Sequence, residues 1–182
     1  MQVRRVVTGH DGAGKAVFAT DERVAPTTLA LLPGMEFHRL WGADETVSFP
    51  GDGSAPAAHA YFPPVGGFRV GMFTVPPSTT QADLSQLDVP AALAELETAL
   101  PGMAAHMEPD APGMHTTATV DVEYVISGRC ILELDDGATV ELGPGDVVVQ
   151  NGTRHAWRNP YDETCRMVVV LIGAHHAAVP PR

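Results

Sequence analysis

The stretch whose reading decides the fold is PGMHTTATVDVEYVISG at residues 112–128, answered by GPGDVVVQNGTRHAWRNP at 143–160, with CILELDDGATVEL between them at 130–142. Alternate side chains of an extended strand share a face, so His115, Thr117, Thr119, Asp121 and Glu123 line one side. The other side carries Ala118, Val120, Val122, Tyr124 and Ile126. A strand that is apolar on one face and lined with hydrogen-bonding groups on the other suits the wall of a barrel whose lumen is a site. Asp136-Gly137 between two alternating runs is a hairpin signal. In the returning segment His155, Trp157 and Asn159 alternate inward, while Arg154 and Arg158 point away. Two inward histidines on separate strands, with a carboxylate six residues after the first, can then face one cavity.

These residues resemble the two motifs of the cupin superfamily, in the small single-domain, cupin-2 conserved barrel form. His115 fits the first histidine of the first motif. Asp121 stands at the glutamate position, and Gly128 follows after six residues. Thr117 occupies the place of the second histidine, so the metal-binding motif is altered. In the second motif Gly152, His155 and Asn159 fit, Gln150 replaces the usual proline, and the loop from Gly145 is one residue short. The resemblance implies an all-β double-stranded β-helix, or jelly-roll barrel, with extra amino-terminal strands and one or two short helices. It also implies a homodimer built through amino-terminal strands, for which Val3–Val7 is the candidate arm, and dimerisation would cover sheet edges as well.

The 182 residues are 45% hydrophobic and 18% charged, a balance that fits one domain over 1–182. Its expected parts are amino-terminal strands and a loop over 1–80, a helix over 88–104 and the motif-bearing barrel core over 112–173. No long apolar run and no leader pattern is present, so a cytoplasmic location is expected. A net charge of −11 argues against nucleic acid or an anionic membrane as partner. Cys130 and Cys165 sit in apolar, strand-like settings and read as buried thiols.

Strands are expected at 120–127, 130–135, 138–142, 146–150, 154–158 and 164–172, and earlier at 3–7, 15–20, 28–32, 36–41 and 68–75. The segment 42–58, rich in Gly, Asp, Ser and Pro, reads as an exposed, mobile loop or a lid. Asp88 caps a helix beginning near Pro90, with Leu93, Leu96 and Leu100 as a stripe continued by Met103 and a stop at Pro101-Gly102. That stripe packs on the barrel or on a second subunit. Gly143 to Asp146 is a turn between strands and no phosphate loop.

His115, Asp121 and His155 make a possible two-histidine, one-carboxylate metal set for Fe, Mn, Ni or Zn, with a metal-free polar pocket as the alternative. Glu123 is an alternative carboxylate if a bulge shifts the register. His155, Asp121 and Thr117 are the candidate catalytic residues, and Thr119, Glu123, Gln150 and Trp157 the candidate substrate contacts. Gln150 either adds an amide to the pocket or closes a turn, and Trp157 is either a substrate wall or a core filler. His38, His59 and His106 lie outside the two motifs and read as surface or satisfied core residues, with a substitute ligand reaching over the mouth as the alternative for His106, and His175-His176 reads as tail. The expected function is an enzyme acting on a hydrophobic or aromatic keto or hydroxy substrate, either a metal-assisted oxygenase (dioxygenase) or a lyase, dehydratase or cyclase. The alternative is a noncatalytic ligand-binding or sensing barrel.

Overall fold

The computed structural model describes residues 1–80 and 87–179. Its central strand, Cys165–Gly173, alternates without interruption: Cys165, Met167, Val169 and Leu171 are buried, and Arg166, Val168, Val170 and Ile172 face outward. In chain order the strands are β1 (Val3–His10), β2 (Ala16–Val24), β3 (Thr27–Leu29), β4 (Leu32–Ala43), β5 (Phe68–Val75), β6 (Thr119–Ser127), β7 (Cys130–Glu133), β8 (Thr139–Leu142), β9 (Val147–Asn151), β10 (Ala156–Arg158) and β11, the central one. Six form one sheet in the order β3-β4-β5-β11-β6-β9, and three form a second in the order β10-β7-β8. β1 and β2 pair with each other as a separate hairpin. The architecture is an all-β jelly roll, as expected, and among the described residues its one α-helix is α1 (Val89–Ala99).

The expected faces of β6 hold. Thr119, Asp121, Glu123 and Val125 are buried, while Tyr124 and Ile126 are exposed. Antiparallel pairing sets Asp121 opposite Leu171 of β11 and Gln150 of β9, and Glu123 opposite Val169 and Val148. The β7–β8 hairpin turns through Asp136 at φ 56° and Gly137 at φ 73°, the left-handed pair that the Asp-Gly signal foretells.

α1 starts where its cap allows: the Asp88 side chain accepts a hydrogen bond from Ala91 N at 3.1 Å. The expected stripe needs one correction. Leu96 and Leu100 are buried in the main core with Phe37, Phe73 and Met167, but Leu93 is 45% exposed and Ala92 takes its place on the buried face. The buried strip follows Ala92, Leu96 and Leu100 at four-residue steps, and Leu93 falls at its exposed edge, about 60° round the helix from Leu96.

The segment 42–58 begins inside β4 and is tied to the hairpin, with His10 N donating to Gly51 O at 2.7 Å. Farther on, residues 61–64 cross over the end of β11. A Cβ on Gly173 would collide with Pro64 O, so glycine is required for this crossing. Among the described residues no helix is long and apolar enough to cross a membrane.

Candidate active site in the barrel lumen

Just before β6 the chain forms an isolated antiparallel bridge with the segment leading into β10. His115 N donates to His155 O at 2.9 Å, and His155 N donates to His115 O at 3.0 Å. The bridge stacks the two imidazoles with ring centres 4.2 Å apart. Each Nδ1 lies near a carbonyl, Gly113 O at 3.0 Å for His115 and Thr153 O at 2.9 Å for His155. A carbonyl only accepts, so Nδ1 carries the hydrogen in both rings and Nε2 is left as the acceptor. Burial, reinforced by the neighbouring His115, lowers His155 to about 4 against its bond to Thr153. Burial lowers His115 as well, against its bond to Gly113. Both are therefore neutral bases at pH 7.

The carboxyl face begins two residues after Thr117. Thr119 Oγ1 donates to Thr117 Oγ1 at 2.8 Å, and both hydroxyls are buried. Asp121 and Glu123 are each 3% exposed, and Asp121 Oδ1 and Glu123 Oε2 have no hydrogen-bond partner. Burial raises Asp121 to about 6 although the Thr119 hydroxyl opposes it. Glu123 is raised well above the ordinary range by burial and by the charge of Asp121. Unpartnered buried carboxyls are costly, and in a native fold they call for an explanation.

Two runs of rings flank these groups. His155 meets Trp157 edge-on at 6.0 Å, and Trp157 meets Phe73 at 6.0 Å. Phe37, Tyr61, Phe62 and His106 form the second run, with successive centre distances of 6.1, 4.9 and 4.7 Å. Burial, with the charges of Asp121 and Glu123 added, pushes the Tyr61 hydroxyl far up. A cavity of about 780 Å³ lined by Phe62, Pro63, Pro101, His106 and His176 reaches Thr119, so the mouth lies at that end of β6.

The supporting residues explain the motif positions. Gln150 Nε2 donates to Thr153 O at 2.9 Å and to Thr153 Oγ1 at 2.6 Å. Of its two readings the turn is the one observed: its amide nitrogen is committed to the loop that aims His155. Asn159 donates to Val75 O and Glu163 O and accepts from Tyr161 N, so this motif residue is a backbone clamp. Arg154 points away as expected and grips Glu108 through both Nε and Nη2, fastening the segment after His106 to the loop before His155. Trp157 is half-buried and serves as a wall of the lumen while packing on the core.

The structure brings His115 and His155 together but does not gather Asp121 with them. Among the described residues no three His, Cys, Asp or Glu side chains are disposed to hold one metal ion. Same-face positions on a strand are spaced about 7 Å apart, so sharing a face spreads Asp121 along the lumen away from the bridge. The donor set does not fit the expected three-ligand centre, and Thr117 offers a hydroxyl, a poor substitute for the missing imidazole. His106 fits a substitute ligand no better: it packs on Phe62, with Nδ1 2.9 Å from Thr116 O. His38 is buried with Nε2 2.6 Å from Met1 O. His59 pairs with Asp44, and His176 lies 3.0 Å from Gly152 O.

Tyr61 and Phe62 were not visible as lumen residues from sequence. Their segment, YFPP, has no strand period, and only the crossing over Gly173 brings it to the site. The thiols of Cys130 and Cys165 are buried and in hydrogen-bonding contact, at the end of the lumen remote from the mouth.

Residues 103–171 match the family model of the cupin domain. Cupin domains commonly bind metal. Among curated proteins, the oryzines biosynthesis cluster protein J of Aspergillus oryzae is 49% identical over 49 residues, 27% of each chain. The phomopsin biosynthesis cluster protein C' of Diaporthe leptostromiformis is 44% identical over 62 residues, 34% of this chain and 33% of that one. The similarity thus spans a third or less of these relatives. Among solved structures, a cupin 2 conserved barrel domain protein from Salinispora arenicola is 20% identical over 81% of this chain and 82% of that one, with a TM-score of 0.40. A putative ethanolamine utilization protein from Salmonella typhimurium is 11% identical over 96% and 99%, with a TM-score of 0.43.

Proposed function

We propose that this chain is a cupin enzyme of the lyase, dehydratase or cyclase type that moves a proton on a small organic substrate held in the lumen. The observation that carries the reading is the His115–His155 pair, two neutral imidazoles, His155 buried and His115 half-buried, with Nδ1–H tied to carbonyls and Nε2 left to accept. His155 takes a proton from a carbon beside a carbonyl or hydroxyl of the substrate. Its imidazolium, disfavoured by burial, returns that proton to the leaving hydroxyl, so that water and a double bond result. Positioned acid–base catalysis of this kind contributes roughly 10²–10⁴-fold. Thr117 and Thr119 orient a substrate oxygen, and the aromatic walls suit an apolar or aromatic keto or hydroxy compound. That relatives are named for biosynthesis clusters supports a tailoring role.

The test follows deuterium uptake from D2O into 4-phenyl-2-butanone, and dehydration of its 4-hydroxy derivative, by NMR. Wild type should catalyse both, and His155→Gln should lose about a hundredfold or more while keeping its fold. Equal rates in the variant overturn the base assignment. Stoichiometric Fe, Mn, Ni or Zn by elemental analysis, lost in His115→Ala and His155→Ala, would replace it with metal-assisted chemistry. Tight binding of the probes with no turnover would favour the binding-module reading, for which the incomplete ligand set is the supporting observation.

We also infer a homodimer. β2 is exposed along nearly its whole length, with Phe18 81% exposed, and Tyr124, Val147, Val149 and Ile172 are exposed on the outer face of the six-stranded sheet. A dimer by light scattering at micromolar concentration is expected, and a monomer overturns this.

A further inference from the structure

The proton-moving pair leaves Asp121 and Glu123 without a stated role. They lie on one face of β6, two residues apart, each 3% exposed and each with one oxygen that meets no donor. Among the described residues neither carboxyl forms a salt bridge; Arg39 bonds Ala58 O, and Arg69 is committed to Asp44. A buried carboxyl lacking a cation is unfavourable, and one partner in the lumen relieves both at once.

Chemistry narrows that partner. Same-face residues on a strand have Cα atoms about 7 Å apart, and one tetrahedral nitrogen making two charge-assisted hydrogen bonds spans about 4.6 Å between acceptors, a gap that two side chains leaning together can present. Two unpaired acceptors demand at least two N–H donors from one group, which a primary ammonium has and a quaternary ammonium lacks. The surrounding rings add an independent indication. Tyr61, Phe37 and Phe62 form one run, Trp157 and Phe73 stand in the other, and aromatic faces attract cations in a desolvated site. Carboxyls alone would suit a metal ion equally, but no three ligating side chains converge among the described residues.

We propose that Asp121 Oδ1 and Glu123 Oε2 seat a primary ammonium group within the aromatic lumen, so that the substrate is an apolar or aromatic amine whose reacting carbon reaches His155. This rests on the reading of the lumen as the substrate site and gives the carboxyls to binding, leaving the imidazoles for the proton.

The test is calorimetric titration of the full chain with phenethylamine, phenethyl alcohol, 3-phenylpropionate, phenyltrimethylammonium and manganese chloride. Phenethylamine should bind at least about tenfold more tightly than the alcohol or the quaternary cation, and the carboxylate should not bind. Asp121→Asn and Glu123→Gln should each weaken the amine about tenfold or more and leave the alcohol unchanged. Should either variant fail to fold, the wild-type ranking still decides. Equal binding of amine and alcohol, unchanged amine binding in both folded variants, or no binding by the amine overturns the proposal. So does one equivalent of manganese that displaces the amine. The failures are separable: exchange on 4-phenyl-2-butanone without amine binding leaves the proton-transfer reading standing. Amine binding without His155-dependent exchange does the reverse.

Discussion

Asp44 and Asp121 are the same residue in the same fold, and they are displaced in opposite directions. Burial works to raise both. At Asp44 it is overcome by hydrogen bonds from the His59 side chain and backbone and by the Arg69 guanidinium, and the carboxyl settles at about 2. At Asp121 only the Thr119 hydroxyl opposes burial, and the carboxyl rises to about 6. Arg69 is 6% exposed and also donates to Ala43 O, Ala60 O and Phe68 O, so Asp44 completes a structural knot that fixes β4 and β5 to the segment before Tyr61. Asp121 completes nothing within the protein. A buried acid with all its partners supports the fold, whereas one without them is kept for something that enters the lumen.

The largest effect is expected at the knot. Arg69→Met removes a buried guanidinium with four hydrogen-bond partners, the half-buried Asp44 among them, and should cost about 3 kcal/mol in denaturant unfolding. Next comes the dependence on pH. Asp44 is depressed in the folded state, so its contribution is present above 3.8 and fades as pH falls toward 2. Asp121 is raised, so the folded state holds its proton more firmly than the unfolded one, and stability declines as pH climbs from 3.8 through about 6. That falling limb is on the order of 3 kcal/mol for Asp121. His155, lowered to about 4, pulls the other way over the same range. The Asp121 contribution is therefore read as a difference: relative to wild type, Asp121→Asn should gain stability in thermal unfolding as pH rises from 4 to 7, and wild-type and variant curves that run parallel would break the contrast between the two aspartates.

A smaller effect separates the carboxyls directly. Glu123→Gln and Asp121→Asn should leave stability at pH 7 unchanged or raise it by about 1 kcal/mol, whereas Asp44→Asn should lower it. Smallest is Thr119→Val. It removes the only hydroxyl bond that holds Asp121 down, so the carboxyl should titrate still higher, with less than about 1.5 kcal/mol of change in stability.

Much of this arrangement was legible in the sequence. Alternation alone placed Thr117, Thr119, Asp121 and Glu123 on the buried side and Arg154 and Arg158 outside, because a strand has one period and two faces. The Asp-Gly turn and the Asp88 cap were legible for the same local reason. What local pattern does not encode is depth. His115 and Asp121 share a face, yet His115 sits in the bridge with His155 while Asp121 is paired farther along β6, between Gln150 and Leu171, and the expected three-ligand set does not form. Tyr61 and Phe62 were hidden because their position depends on Gly173 making room for Pro64, a contact between remote segments. Leu93 was assigned to the buried stripe by spacing and lies at its exposed edge, because the buried strip follows Ala92, Leu96 and Leu100.

The most direct test of the account is a carboxyl-detected NMR titration of the ligand-free protein, following Asp44, Asp121 and Glu123 together. The account predicts Asp44 near 2, Asp121 near 6 and Glu123 well above the usual range for its type. Asp121 and Glu123 both titrating near 4 would mean that the lumen already satisfies its carboxyls, contradicting the claim that they wait for a ligand.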